Sequence, residues 1–203
     1  MNTIVLSTSY TPPLYYLYLI RKFPDVRVEF HENYQKQSFR NRMYVLSSGG
    51  VQILTVPVEH ANRKPIGEVK ISYREPWQRN HIKTLRTCYN NAPYYLYYGD
   101  LIENTISTNF TYLFELNAQL LHDLCGAFKL TIPEETSGWA PAINPEYDFR
   151  NKIRTGKECT LKAPDYRALF PLQTQNVGLL TSLDLLFNNG PDGSSMLDKF
   201  SLI

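Results

Sequence analysis

The chain has 203 residues, of which 43% are hydrophobic and 20% charged, as in an ordinary globular domain. A chain of this length can bury a core without the support of disulfides or metals. The formal charge of +2 gives no electrostatic reason to expect a nucleic-acid partner. Three widely spaced cysteines, Cys88, Cys125 and Cys159, show no metal-ligand spacing and no paired framework, so we expect reduced thiols in a cytoplasmic protein.

The N-terminal sequence MNTIVLSTSYTPP has no basic region followed by a long apolar run, so we do not expect a secretory signal peptide. The apolar run at residues 14–20 is too short to cross a bilayer, and no other run approaches the roughly 18 residues that a spanning helix needs. The sequence therefore predicts a protein without a membrane span.

The first thirty residues predict a β-α-β unit. Residues 3–8 form a β-branched run that is typical of a buried strand, and residues 26–30 alternate as a second strand does. Between them Pro12 or Pro13 can open a short aromatic helix, which stops before Pro24. This order favours a parallel strand pair joined by a right-handed crossover.

A β-hairpin is predicted next. Residues 42–48 (RMYVLSS) and 51–58 (VQILTVPV) flank Gly49-Gly50, a strong signal for a two-residue turn. Residues 67–73 (GEVKISY) alternate again and predict a further strand.

The chain then becomes helical. Helices are predicted within residues 75–93, 94–106, 108–130 and 179–191, with Asn189-Gly190-Pro191 as the last stop signal. Asn117 is the one polar residue in line with the apolar stripe of the third of these helices. Residues 131–175 form an irregular, proline-rich connection. We therefore expect one α/β domain over residues 1–203, with a mixed sheet and a helical region after the hairpin.

Known catalytic motifs are missing. The sequence contains no glycine-rich dinucleotide or P-loop fingerprint, no nucleophile elbow and no pair of histidines at metal-ligand spacing. We assign no metal, and the cofactor stays unknown.

The stretch HENYQKQSFRNR, residues 31–42, is the leading site candidate, because loops at strand ends of α/β folds often bind ligands. Lys36, Arg40 and Arg42 can hold phosphate or carboxylate, and amides can pair with sugar hydroxyls. Its candidate ligand-binding residues are Asn33, Tyr34, Lys36, Asn41 and Arg42. Glu32 is the only carboxylate of the segment and a candidate catalytic base. The alternative interpretation is a solvated surface loop.

His81 is the second candidate for proton transfer. It shares an inward helical face with Trp77, Leu85 and Cys88 or Tyr89, so it is either a general acid or base or a neutral core histidine bonded to a backbone carbonyl. Tyr10 follows the first strand and is expected to rim the same sheet end as residues 31–42. Tyr10 and Trp77 are therefore candidate pocket walls.

Five sequence marks, taken in order, resemble the WbqC-like family of bacterial proteins. They are SYTPPLYYLYLI at residues 9–20, NYQKQSFRNR at 33–42, GGVQILTVPV at 49–58, Trp77 and His81 followed by YNNAPYY, and TSLDLLFNNGP at 181–191. Each mark is weak alone, but their order and spacing make the set specific.

The resemblance implies a role linked to O-antigen and other surface-polysaccharide gene clusters. Many members carry His-Gln-Pro before the first turn, where this chain has Leu6, Ser7 and Thr8. Any role of that histidine is therefore absent here or filled by another residue.

Three functional hypotheses stay open. The first is a transferase-like enzyme that acts on a phosphate- or nucleotide-linked sugar, and the second is a non-catalytic ligand-binding or assembly protein on the same scaffold. The third, a nucleic-acid binder, is disfavoured by the modest charge. Whether the chain forms a homo-oligomer is left open.

Overall fold

The β-α-β unit is present in the computed structural model, which describes residues 3–139, 144–153, 161–162 and 177–202. Strands β1 (Ile4–Ser7) and β2 (Val26–Glu29) pair in parallel, and helix α1 (Leu14–Lys22) connects them. Every residue of α1 from Leu14 to Ile20 is buried. A helix that is apolar on all sides is stable only when it is covered on all sides, and here it belongs to the main hydrophobic cluster.

The predicted hairpin is formed by β3 (Arg42–Ser47) and β4 (Gly50–Thr55), which pair antiparallel. The register pairs Ser47 with Gly50, so the turn residues are Ser48 and Gly49, one position earlier than predicted. Gly50 belongs to the strand, and its φ of +106° explains why glycine is needed there.

The strand predicted at residues 67–73 is not a strand. The chain forms a 3-10 turn at Ile66–Glu68, and then Lys70 and Ile71 each make one isolated bridge, to Tyr112 and Val58. The alternation reflects the burial of Val69 and Ile71, but a ladder does not form because the neighbouring segments are loops.

Three long helices follow: α2 (Trp77–Tyr89), α3 (Tyr95–Ser107) and α4 (Leu113–Phe128). The buried face of α2 consists of Trp77, His81, Leu85, Cys88 and Tyr89, as the helical spacing predicts. Asn117 of α4 is only 1% exposed, so its polar amide does lie within the apolar stripe. Cys88 and Cys125 are buried free thiols, whereas Cys159 lies outside the described residues.

The C-terminal part packs back onto the N-terminal unit. Strand β5 (Glu134–Glu135) pairs in parallel with β2, and β6 (Leu161–Lys162) pairs antiparallel with β7 (Ser201–Leu202). Helix α5 (Ser182–Asn189) ends within the predicted stop signal, with Gly190 as its C-cap, but a 3-10 turn at Gly190–Asp192 leads directly into α6 (Gly193–Leu197). Of the predicted irregular connection, residues 140–143, 154–160 and 163–175 lie outside the described residues.

The fold is therefore α/β, with an N-terminal β-α-β unit, a hairpin and a helical region after it. Parallel and antiparallel strand pairs are both present, and within the described residues they form three small sheets. Among the described residues, no helix combines the length and the apolar character that a bilayer span requires.

Candidate functional site

The loops that follow β1 and β2 meet at the carboxyl end of the parallel sheet. The backbone N–H of Tyr10 donates to the carbonyl of Phe39 at 2.8 Å. The start of α5 closes the same region, because the N–H of Thr181 donates to the carbonyl of Tyr44 at 2.8 Å. This sheet end, where α/β proteins commonly bind ligands, is thus built from three distant parts of the chain.

Thr11 adds a strained residue to this region. It is fully buried and has a φ of +52°, which is rare for a β-branched residue. The hydroxyl of Thr181 donates to its Oγ1 at 3.0 Å. Such strain persists only where the surrounding structure holds it, and it is often found near functional sites.

Glu32 lies inside the polar segment, paired with Arg40. Arg40 Nε donates to Glu32 Oε1 at 2.8 Å, Nη2 donates to the other carboxylate oxygen, and both side chains are 3% exposed. Burial raises the pKa of Glu32, while the Arg40 cation opposes that rise. Both carboxylate oxygens are therefore engaged in shaping the loop.

A second buried ion pair lies beside the first. Glu29 is fully buried and accepts hydrogen bonds from the Thr136 hydroxyl at 2.9 Å and the His31 N–H at 2.7 Å. Arg150 Nη1 lies 3.4 Å from the other Glu29 oxygen. Arg150 also pairs with Asp148, whose pKa it lowers against the effect of burial. These contacts attach residues 148–150 to the end of β2.

His81 forms a closed cluster with Tyr10 and Trp77. Its Nδ1 lies 3.0 Å from the Tyr10 hydroxyl oxygen, and its ring centroid lies 5.2 Å from that of Trp77. Burial lowers the pKa of His81 to about 4, although a hydrogen bond to the Thr55 carbonyl opposes that fall. His81 is therefore neutral at pH 7, and burial raises the pKa of Tyr10, so its phenol is neutral too.

The ligand-binding candidates of residues 31–42 divide into exposed and buried groups. Asn33 and Lys36 are exposed, while Tyr34 is buried. The Asn41 amide donates to the Val56 carbonyl at 2.9 Å, which fixes the start of the hairpin. Arg42 is half-buried, and its buried Nε has no hydrogen-bond partner in the described structure.

The nine candidate residues do not form one cluster. Tyr10, Trp77 and His81 contact one another. Arg42 acts on Tyr34, since its cation opposes the burial that raises the pKa of that phenol. Among the described residues, no hydrogen bond or ion pair joins His81 to Glu32 or Arg42.

A small crevice that the sequence did not predict lies at the same sheet end, between β1, β2, α1 and α4. Ser7, Thr8, Tyr16 and Asn117 provide its polar walls. Two sequence signals could have indicated it: Leu6-Ser7-Thr8 stands where the family resemblance implies His-Gln-Pro, and Asn117 interrupts an apolar stripe. In the part of the chain that the structure describes, no three His, Cys, Asp or Glu side chains are grouped as metal ligands would be.

Comparison with known proteins gives one match. The model of the WbqC-like protein family matches residues 8–146, which is more than half of the chain. The match includes the polar segment, the hairpin, α2 and α4, while the C-terminal mark at residues 181–191 lies beyond it. No curated protein and no solved structure matches the chain. The chain belongs to the WbqC-like protein family.

Proposed function

We propose that this protein is a cytoplasmic, transferase-like enzyme of bacterial surface-polysaccharide biosynthesis, acting on a phosphate- or nucleotide-linked sugar. Family membership supports the general assignment, through the link to polysaccharide gene clusters that the resemblance implies. The observation that carries the ligand class is Arg42, a half-buried cation whose Nε lacks an acceptor in the described structure.

Arg42 differs from the other two arginines of this region. Arg40 and Arg150 both have carboxylate partners, whereas no ion pair of Arg42 is found among the described residues. A shielded guanidinium N–H without an acceptor is unfavourable, and a phosphate oxygen would relieve that cost with a charge-assisted bond. In this proposal Tyr34, Asn41 and the exposed side chains of Asn33 and Lys36 contribute to the same ligand.

The proton-transfer group of this proposal is His81. It is neutral at pH 7, and the Tyr10 hydroxyl is the hydrogen-bond partner with which it would exchange a proton. Trp77 and Tyr10 would then be wall residues. Glu32 is the weaker choice, since Arg40 engages both of its oxygens.

A non-catalytic ligand-binding protein is the second candidate, and one observation favours it. His81 and Glu32 are 4% and 3% exposed, so both catalytic candidates are enclosed by their own partners. A binding protein needs neither of them to reach a ligand. That the chain binds no nucleic acid stays a prediction from its charge.

Calorimetric titration with a panel of sugar nucleotides, sugar phosphates and inorganic phosphate tests the anion site. Arg42→Ala should weaken binding roughly tenfold or more, because a charge-assisted hydrogen bond is lost. Arg74→Ala, at an exposed arginine outside the segment, is the control and should bind as the wild type does. Unchanged affinity in Arg42→Ala would refute the site.

Turnover separates the two candidate functions. For each phosphate-linked sugar that binds, release of its leaving group is followed with and without acceptor sugars. His81→Gln should keep the affinity and lose turnover if the protein is an enzyme. Binding without turnover in the wild type, over the whole panel, would favour the non-catalytic candidate.

A further inference from the structure

The crevice between the sheet end and α4 has an uncharged polar wall. Its polar side chains belong to Ser7, Thr8, Ser9, Tyr16 and Asn117, and among the described residues no acidic, basic or histidine side chain lines it. The Ser7 hydroxyl and the Tyr16 hydroxyl lie 2.6 Å apart, and burial raises the pKa of Tyr16 to about 12, so this phenol stays neutral. An ionic ligand would therefore find no counter-charge here.

Asn117, a wall residue of the crevice, has an unsatisfied acceptor. The side chain is 1% exposed, and its Nδ2 donates to Thr8 Oγ1 at 3.1 Å and to the Arg40 carbonyl at 2.8 Å. Its Oδ1 is buried and has no hydrogen-bond partner in the described structure. Because buried acceptors are nearly always paired in native proteins, a donor from outside the chain is expected at this atom.

The size of the crevice limits what can enter it. Its cavity volume is about 10 Å³, which is about the least that holds one water molecule. Of its wall residues, Phe30, Ala118 and Leu121 are half-buried, so the crevice reaches the surface between the end of β2 and α4. Only one hydroxyl-sized group fits inside, and the rest of a larger molecule would lie on this apolar rim.

We propose that the crevice binds one hydroxyl group of a neutral polyol or unphosphorylated sugar, which replaces an internal water and donates to Asn117 Oδ1. A hydroxyl both donates and accepts, so it also suits the neighbouring Thr8 and Ser9 hydroxyls. Displacing an ordered water is favourable only for a group that reproduces its hydrogen bonds, and a hydroxyl does so. This site is independent of the proposed anion site at Arg42.

Nuclear magnetic resonance of the full chain tests the proposal. The side-chain amide of Asn117 is followed during titration with glucose, myo-inositol and glycerol. Saturable shifts of this amide and of the backbone amides of Ser7, Thr8 and Ser9 are expected with at least one of the three probes. If all three probes leave these signals unchanged, the crevice holds water only and the proposal is wrong.

A variant that fills the crevice gives the control. Ala118→Leu places a larger side chain in its wall and should abolish the shifts, whereas Ala127→Leu, the same change elsewhere on α4, should leave them intact. If Ala118→Leu does not fold, Ser9→Ala serves instead, since the Ser9 hydroxyl makes no hydrogen bond within the described structure. Ser9→Ala should raise the probe concentration needed for half-saturation at least threefold. Shifts that persist unchanged in the variant would overturn the proposal.

Discussion

The buried pair of Glu32 and Arg40 gives a sharp stability prediction. Glu32→Gln keeps the shape of the side chain and removes its charge, which leaves an Arg40 guanidinium that is 3% exposed. Apart from Glu32, the acceptor seen for the Arg40 guanidinium in the described structure is the backbone carbonyl of Arg150, at the long distance of 3.5 Å. Because removing one partner leaves an uncompensated buried charge, the free energy of unfolding should fall by about 3–5 kcal/mol at pH 7.

The pair of Arg21 and Asp198 is the matched control. Arg21 donates two bonds to Asp198, at 2.9 and 2.8 Å, but these side chains are 41% and 50% exposed. Asp198→Asn should therefore cost no more than about 1 kcal/mol. Both variants are compared with the wild type by urea unfolding, followed by tryptophan fluorescence.

The double variant Glu32→Leu/Arg40→Met completes the test. It removes both buried charges, so it should regain most of the stability that Glu32→Gln loses. If Glu32→Gln lowers the free energy of unfolding no more than Asp198→Asn does, burial of the pair does not make its loss more costly and the prediction is wrong.

Two further predictions concern stability. The pKa of His81 is about 4 in the folded chain and near 6.5 when unfolded, so below pH 6.5 the unfolded state binds more protons and stability falls as the pH drops toward 4. The free energy of unfolding should fall by roughly 3 kcal/mol over this pH range. His81→Gln should not show this pH dependence when urea unfolding is measured at a series of pH values. Gly190→Ala should cost about 1–3 kcal/mol in thermal unfolding, because φ is +58° and the added Cβ would lie 2.5 Å from the Tyr94 ring. Gly126→Ala, in α4 with open space at the Cβ position, should instead gain about 0.5–1 kcal/mol, and equal effects of the two changes would refute the steric argument.

Elements with a strong local period were predictable from the sequence. The buried face of α2, including His81, follows from spacing alone, because a helix brings residues three and four apart to one side. The parallel pairing of β1 and β2 follows from the short helix between them. Residues 67–73 show the limit of such predictions. Their alternating pattern predicts a strand, but Lys70 and Ile71 form only isolated bridges because no strand of the described part of the chain lies beside them as a partner.

The sequence by itself determined which residues turn inward within each helix and strand, and that polar residues 31–42 follow a strand of a parallel pair. Only the tertiary structure decided which polar groups meet there. Glu32 pairs with Arg40, Arg42 is left without a carboxylate among the described residues, and Asn117 reaches Thr8 from α4. The last contact joins residues more than a hundred positions apart, which no local period can encode. The physical reason is that backbone periodicity sets the direction of a side chain, whereas its partner depends on how separate elements pack.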